Sequence, residues 1–214
     1  MATNPRAVNP RKGDAILKAA VALFPKLGYD KTTMDDVARH AGVTKQTVYS
    51  HYKSKDLLFI QMVDNLCRQG VAHAPIAGAR TKAFDVLLYD VGMNLLALIT
   101  SKEGMAVTRL VVAESSRHPK LARLYYESGT QRIVQLIAEF LDSQNDRGVV
   151  AIPDTQSAAA YFFALLKGQY FLRMTLGVPP IPSLREQRAH VREVVAMFVH
   201  LYGGKKPLHT RSRI

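Results

Sequence analysis

Cysteine is nearly absent from this chain of 214 residues. It carries one, Cys67, so no disulfide can form within it, and a reduced cytoplasmic location is expected. Cys67 falls in a helical pattern and reads as a small core residue. No stretch of about 20 residues is free of charge, which argues against a transmembrane helix and a membrane partner. The N-terminus lacks the apolar core of a secretory signal. Alternating apolar and polar residues, the mark of a half-buried strand, are missing too. The histidines (His40, His51, His73, His118, His190, His200, His209) form no HxxxH zinc pair. There is no glycine-rich phosphate loop and no Gly-x-Ser-x-Gly elbow. A small helical enzyme therefore has little to stand on, and no catalytic residue, metal ligand or cofactor is assigned.

Acid is also scarce: 17 Asp and Glu face 29 Lys and Arg, a formal net charge of +12. The excess is unevenly spread. Residues 1–55 hold ten basic and four acidic side chains, so half of the net charge sits in about a quarter of the chain. That asymmetry suits a polyanion such as DNA.

What the chain does contain is helix. Hydrophobic residues make up 48% of it, enough for a sizeable core without staples or metals. Residues 1–12 read as a basic arm. A first helix is expected from about Asp14 to Leu27, with Ile16, Ala20, Leu23, Phe24 and Leu27 as its apolar stripe. A second runs from the cap Thr33 to Gly42, a third from the cap Thr44 to about Tyr52, and a fourth from Ser54 to about Gly70. Residues 73–78 read as a linker. Further helices are expected at about 81–101, 103–116, 119–145, 154–177 and 184–203, followed by a basic tail, 204–214, expected to be disordered. The fold class is all-α. A three-helix helix-turn-helix domain at 13–56 precedes a larger helical ligand-binding and dimerisation domain at 57–203, with 57–72 as the connecting helix.

The informative block runs from Gly28 to Leu58. Two short helices flank a tight Ala41-Gly42-Val43 turn, and Val37, Ala38, Val43 and Val48 are spaced to pack them together. That leaves Lys45, Gln46, Thr47, Tyr49 and His51 free on a helix of the right size for the major groove. The cap at Thr44 turns backbone N–H groups outward, where a phosphate can bind, and Lys53 and Lys55 are placed to flank the DNA backbone. Tyr52 is given to the core.

This block resembles the TetR family of one-component repressors. The resemblance rests on Gly28-Tyr29, the Thr32-Thr33 entry, Asp36-Val37-Ala38, Ala41-Gly42-Val43, and Thr47 through Tyr52 followed by Ser54-Lys55. It implies an all-helical homodimer that binds a palindromic operator and senses a ligand. It also implies that Thr33 and Tyr49 are phosphate contacts, that Lys45, Gln46 and Thr47 face the groove, and that His51 and Lys55 touch the backbone. Many relatives have glycine where Gln46 stands. Gln46 either reads adenine directly or sits solvated beside phosphate. The segment from Ala113 to Tyr126 resembles the AefR-like subgroup.

For a small apolar or amphipathic ligand, the helix-face rule groups Val107, Leu110, Val111 and Glu114, and a later mixed stripe offers Phe163, Leu166, Tyr170 and Arg173, with Tyr125 as a further aromatic. Ordinary core with a terminal ion pair is the competing reading of both stripes. The family pairs its last two long helices across a two-fold axis, which implies a seam of Leu165, Gly168, Leu172, Val191, Val194, Val195, Phe198 and Tyr202, with internal core as the competing claim on some of them. The expected function is a repressor released from its operator by ligand, with a ligand-independent architectural DNA-binding protein as the alternative.

Overall fold

The computed structural model describes residues 10–72 and 82–203, without the side chains of 69–72 and 169. The expected linker and tail, and most of the arm, lie outside the described residues. Every regular element described is helical: α1 (Pro10–Leu27), α2 (Met34–His40), α3 (Lys45–His51), α4 (Lys55–Ala72), α5 (Phe84–Thr100), α6 (Lys102–Glu114), α7 (Pro119–Tyr125), a π-helical turn (Tyr126–Gln131), α8 (Arg132–Asp146), α9 (Thr155–Leu176) and α10 (Leu184–Tyr202). No single helix among the described residues is long and apolar enough to cross a membrane.

Two boundaries differ from expectation. α1 is already helical at Pro10, the first described residue, rather than starting near Asp14. The single helix expected at 119–145 is interrupted by the π turn. There the Ser128 hydroxyl donates to the Leu124 carbonyl at 2.6 Å, and Gly129 is pressed so close to Val63 of α4 that a Cβ would stand 3.2 Å from it.

The described residues fall into two compact units, one from Met1–Leu66 and Lys102–Gly129, the other from Cys67–Ser101 and Thr130–Ile214. This differs from the linear division expected at residue 56. α6 packs on α1, with Met105, Val107, Leu110 and Val111 of α6 buried, and ion pairs between distant parts of the sequence fringe the unit. The His118 ring nitrogen lies 2.9 Å from Asp30 and 3.5 Å from Glu114, and Lys120 pairs with Asp56. Asp56 also accepts from the Tyr29 hydroxyl. Beneath this polar rim, the rings of Phe24, Tyr29 and Phe59 pack at 5.5–5.6 Å between centroids. α4 carries the chain from the first unit into the second.

In the second unit, α5, α8, α9 and α10 close around Phe162 and Phe198, an edge-to-face pair 5.2 Å apart, both almost wholly buried. Asn145 closes the α8–α9 connection with its side chain, bonding the Ile152 N–H and carbonyl at 2.9 and 2.8 Å. α9, expected to be continuous, breaks at Gly168, whose φ of 43° and ψ of −151° suit glycine alone.

Candidate nucleic-acid interface

The helix-turn-helix is built by short-range chemistry. Thr33 and Asp36 form a reciprocal capping box at the start of α2. The Asp36 N–H donates to the Thr33 hydroxyl at 3.1 Å and the Thr33 N–H donates to Asp36 at 3.2 Å. The Thr33 hydroxyl also donates to Asp36 at 2.6 Å, and these bonds hold the Asp36 carboxyl below its ordinary range. Val43 N–H bonds the Ala38 carbonyl at 3.0 Å to close the turn. Val37, Ala38 and Val48 are buried together, with Val43 half-buried, so α3 is docked by the residues whose spacing implied it. Thr44 caps α3, accepting from the Thr47 N–H at 3.2 Å.

That docking turns a polar face outward. Thr44, Lys45, Gln46 and Tyr49 are exposed, and Lys53 is exposed just beyond the helix. Thr47 is half-buried, its hydroxyl 2.8 Å from that of Thr44. His51 lies against α1 instead: a Cβ at Gly13 would stand 3.3 Å from its ring, and it sits beside Tyr52. Tyr52 is half-buried, and burial raises its pKa. Lys55 is tied down. Its ammonium donates to the carbonyls of Tyr29 and Asp30 at 2.9 and 3.2 Å and lies 4.5 Å over the Tyr29 ring. Asp35 was not anticipated. It bridges to Lys45, at 2.9 and 3.0 Å from its two oxygens, and this contact raises the lysine pKa. Its signal in the sequence was only an acid amid a basic segment.

The residues expected to line a pocket divide between the two units. In the first, Val107, Leu110 and Val111 are buried, Glu114 faces His118, and the Tyr125 hydroxyl lies 2.7 Å from that of Thr108. In the second, Phe163 and Leu166 are buried in the core and Tyr170 packs on His190 at 5.1 Å. Arg173 donates to the Pro180 carbonyl at 3.2 Å and so braces the α9–α10 connection. A groove of about 640 Å³ opens elsewhere, between α5 and α10, lined by Asp85, Val86, Tyr89, Arg192, Val195, Ala196, Val199 and His200. Lys167 was overlooked in the sequence. It is half-buried beside the rings of Phe163 and Phe171, 4.9 and 5.6 Å away, and desolvation lowers its pKa.

Part of the expected seam is claimed by the protomer's own core. Val191, Val194, Val195 and Phe198 are buried inside the protomer, because they form the stripe by which α10 packs on α5 and α9. Apolar side chains left exposed include Tyr161, Leu172 and Leu176 on α9, and Leu184, Met197 and Leu201 on α10. Leu172 and Leu176 are 62% and 68% exposed, against 1% for Phe198. Of the expected set, Gly168 and Leu172 are exposed and Leu165 and Tyr202 half-buried.

Comparison with known proteins agrees with this geometry. The family described as bacterial regulatory proteins, tetR family, matches residues 16–62, and the AefR-like transcriptional repressor C-terminal domain matches residues 87–204. The chain belongs to the TetR family of transcriptional regulators. The HTH-type transcriptional regulator YvkB of Bacillus subtilis is 26% identical over 188 residues, covering 86% of this chain and 93% of that protein. The biofilm operon regulator IcaR of Staphylococcus epidermidis is 36% identical over 52 residues, only 28% of its own length. A TetR-family regulator from Mesorhizobium loti superposes with a TM-score of 0.75 at 28% identity, covering 94% of this chain and all of that one. The flavonoid-responsive regulator FrrA does so with a TM-score of 0.69 at 28% identity, covering 92% of this chain and all of that one. The protein is thus a DNA-binding transcriptional regulator of this family.

Proposed function

We propose that the protein is a cytoplasmic, homodimeric repressor that binds a palindromic operator and is released from it by a small, mostly apolar ligand. The observation that carries the reading is the exposed row Thr44, Lys45, Gln46 and Tyr49 on a helix docked by buried Val48. Such a helix fits the major groove but is too short to bind tightly alone, so two half-sites are expected. The exposed Leu172, Leu176, Met197 and Leu201 supply an apolar surface for a second copy. Lys53, Tyr49 and Thr44 serve as phosphate contacts, and Lys55 adds a phosphate to the two carbonyls it already holds. Ligand responsiveness is supported by the likeness to FrrA, a flavonoid-responsive regulator. The ligand must favour a state whose recognition helices are wrongly spaced, since equal affinity for both states shifts nothing. α4 is the lever, because it joins the two units.

The test is selection of random duplexes by the purified protein at moderate salt, followed by a screen of apolar and aromatic compounds, flavonoids included, for release of the selected duplex. A two-fold symmetric consensus and at least one releasing compound are expected. Equal affinity for selected and scrambled duplexes overturns the operator. If no compound alters DNA affinity, the ligand-independent reading replaces the ligand-released one.

A further inference from the structure

Lys45 opens the recognition helix, yet its charge does not stand free. Asp35, at the first turn of α2, reaches across the turn and holds the ammonium with both carboxylate oxygens, at 2.9 and 3.0 Å. Both side chains remain more than half exposed, 60% for Lys45 and 51% for Asp35, and the ammonium lies 6.0 Å from the exposed Tyr49 ring. An exposed ion pair of this kind contributes little to folding. For DNA binding it is a liability, because an acid on the docking face repels phosphates at every sequence. The liability is offset only where DNA offers a donor to the carboxylate, and in the major groove only the cytosine N4 and adenine N6 amino groups do so.

We propose that Asp35 and Lys45 act together as a two-part reader of one G·C pair, Lys45 donating to guanine O6 and N7 and Asp35 accepting from cytosine N4. This rests on the reading of α3 as the recognition helix. The match is one of spacing as well as type. Guanine O6 and cytosine N4 are bonded to each other at about 2.9 Å, the ordinary hydrogen-bond length, and the lysine nitrogen and aspartate oxygens stand at the same separation. One ammonium proton is left after the two directed at Asp35, and it bifurcates between guanine O6 and N7; each carboxylate oxygen keeps a lone pair, so both groups bond the pair without parting. An A·T pair offers adenine N6 to Asp35 but gives Lys45 only thymine O4 beside an apolar methyl. The inverted C·G pair is worst: it sets a donor against the ammonium and an acceptor against the carboxylate. Asp35 is therefore a specificity-determining residue, which lowers affinity for wrong sequences more than it raises affinity for the right one.

The experiment begins with a consensus selected by the parent protein, so a failure of DNA recognition itself appears first, as no enrichment. Each half-site position is then changed to all four pairs. Affinities are measured by fluorescence anisotropy for the parent, Asp35→Ala, Asp35→Asn and Lys45→Ala, with circular dichroism confirming the fold of each. For the parent, inverting one G·C pair is expected to weaken binding about tenfold or more. Asp35→Ala should reduce that penalty to about twofold and bind scrambled duplexes several-fold more tightly. Asp35→Asn, whose amide can rotate to donate or accept, should also lose most of the inversion penalty. A discrimination profile that is the same in parent and Asp35→Ala at every position overturns the proposal. So does an Asp35→Ala variant that changes all duplexes by one common factor.

Discussion

The His190 ring of α10 donates an N–H to the carbonyl of Leu166 on α9, at 3.0 Å, two residues before the point where α9 ceases to be helical. The ring also stands edge-on to Tyr170, 5.1 Å away, and would meet a Cβ at Gly168 at 3.1 Å. Break, glycine and histidine form one arrangement. The backbone angles at Gly168 belong to a region that costs other residues about 1–3 kcal/mol. Gly168→Ala should destabilise the protein by at least that amount in urea denaturation. His190→Ala should cost about 1–3 kcal/mol by leaving the carbonyl without that donor. Unchanged unfolding midpoints for both would show that the break is not held by these groups.

The division of α10 between core and seam gives a two-sided expectation. Phe198→Ala should remove about 3–5 kcal/mol of stability, because the ring is buried against Phe162. Leu172→Glu combined with Leu176→Glu should leave the helical circular dichroism signal intact and yield a monomer by light scattering, because both side chains are exposed in the protomer. Dimers that survive the double substitution at micromolar concentration would move the seam elsewhere.

Asp56 lies between the Lys120 ammonium and the Tyr29 hydroxyl, and these two hydrogen bonds, that of Lys120 foremost, lower its pKa. The reciprocal effect on Tyr29, led by burial and then by Asp56, raises its pKa well above the ordinary tyrosine range. A depressed carboxyl contributes stability that is present above its unfolded pKa, near 4, and is lost as pH falls through the folded value. A raised phenol contributes stability that is present below about 10 and is lost as pH rises through its folded value. Asp56→Asn should therefore cost on the order of 1 kcal/mol near pH 7, a figure kept small because the group is a third exposed. The gap to the parent should shrink in chemical denaturation between about pH 4 and pH 2. A gap that stays constant down to pH 2 would contradict the ionic assignment.

The helix-turn-helix was legible in the sequence because everything that makes it is local. The Thr33–Asp36 box, the Thr44 cap and the spacing of Val37, Ala38 and Val48 all act within about fifteen residues. The grouping of α6 and α7 with the N-terminal helices was not legible. It joins α6 to α1 and sets His118 beside Asp30 and Lys120 beside Asp56, across 88 and 64 residues, and periodicity carries no trace of such partners. The apolar stripe of α10 was visible, but a stripe does not say whether its neighbour belongs to the same chain. Val191, Val194, Val195 and Phe198 packed inward, and the weaker row of Met197 and Leu201 was left outside. Lys55 shows the same limit, since the motif gives only an expected place beside DNA and no sign of the bonds to the Tyr29 and Asp30 carbonyls.

Gln46 and Lys53 separate base reading from charge on the DNA face. Both are exposed and neither is engaged by another described side chain, so their removal should leave the fold untouched. Gln46 can bond adenine N6 and N7 together, and a contact of that kind is worth about 1–3 kcal/mol of discrimination. Gln46→Ala should therefore weaken binding to the selected operator by that amount, relax the preference at one position, and leave scrambled duplexes almost unaffected. Lys53 carries no sequence information if it meets phosphate. Its effect is release of a condensed counterion, so Lys53→Ala should weaken operator and scrambled duplexes alike and reduce the slope of log K against log salt by about 1. Lys55→Ala is a less clean comparison, because it also frees two carbonyls that the ammonium holds. Anisotropy titrations at three salt concentrations distinguish the two behaviours. Equal losses on both duplexes for Gln46→Ala would make it a backbone contact. A salt slope unchanged by Lys53→Ala would place that lysine away from the DNA.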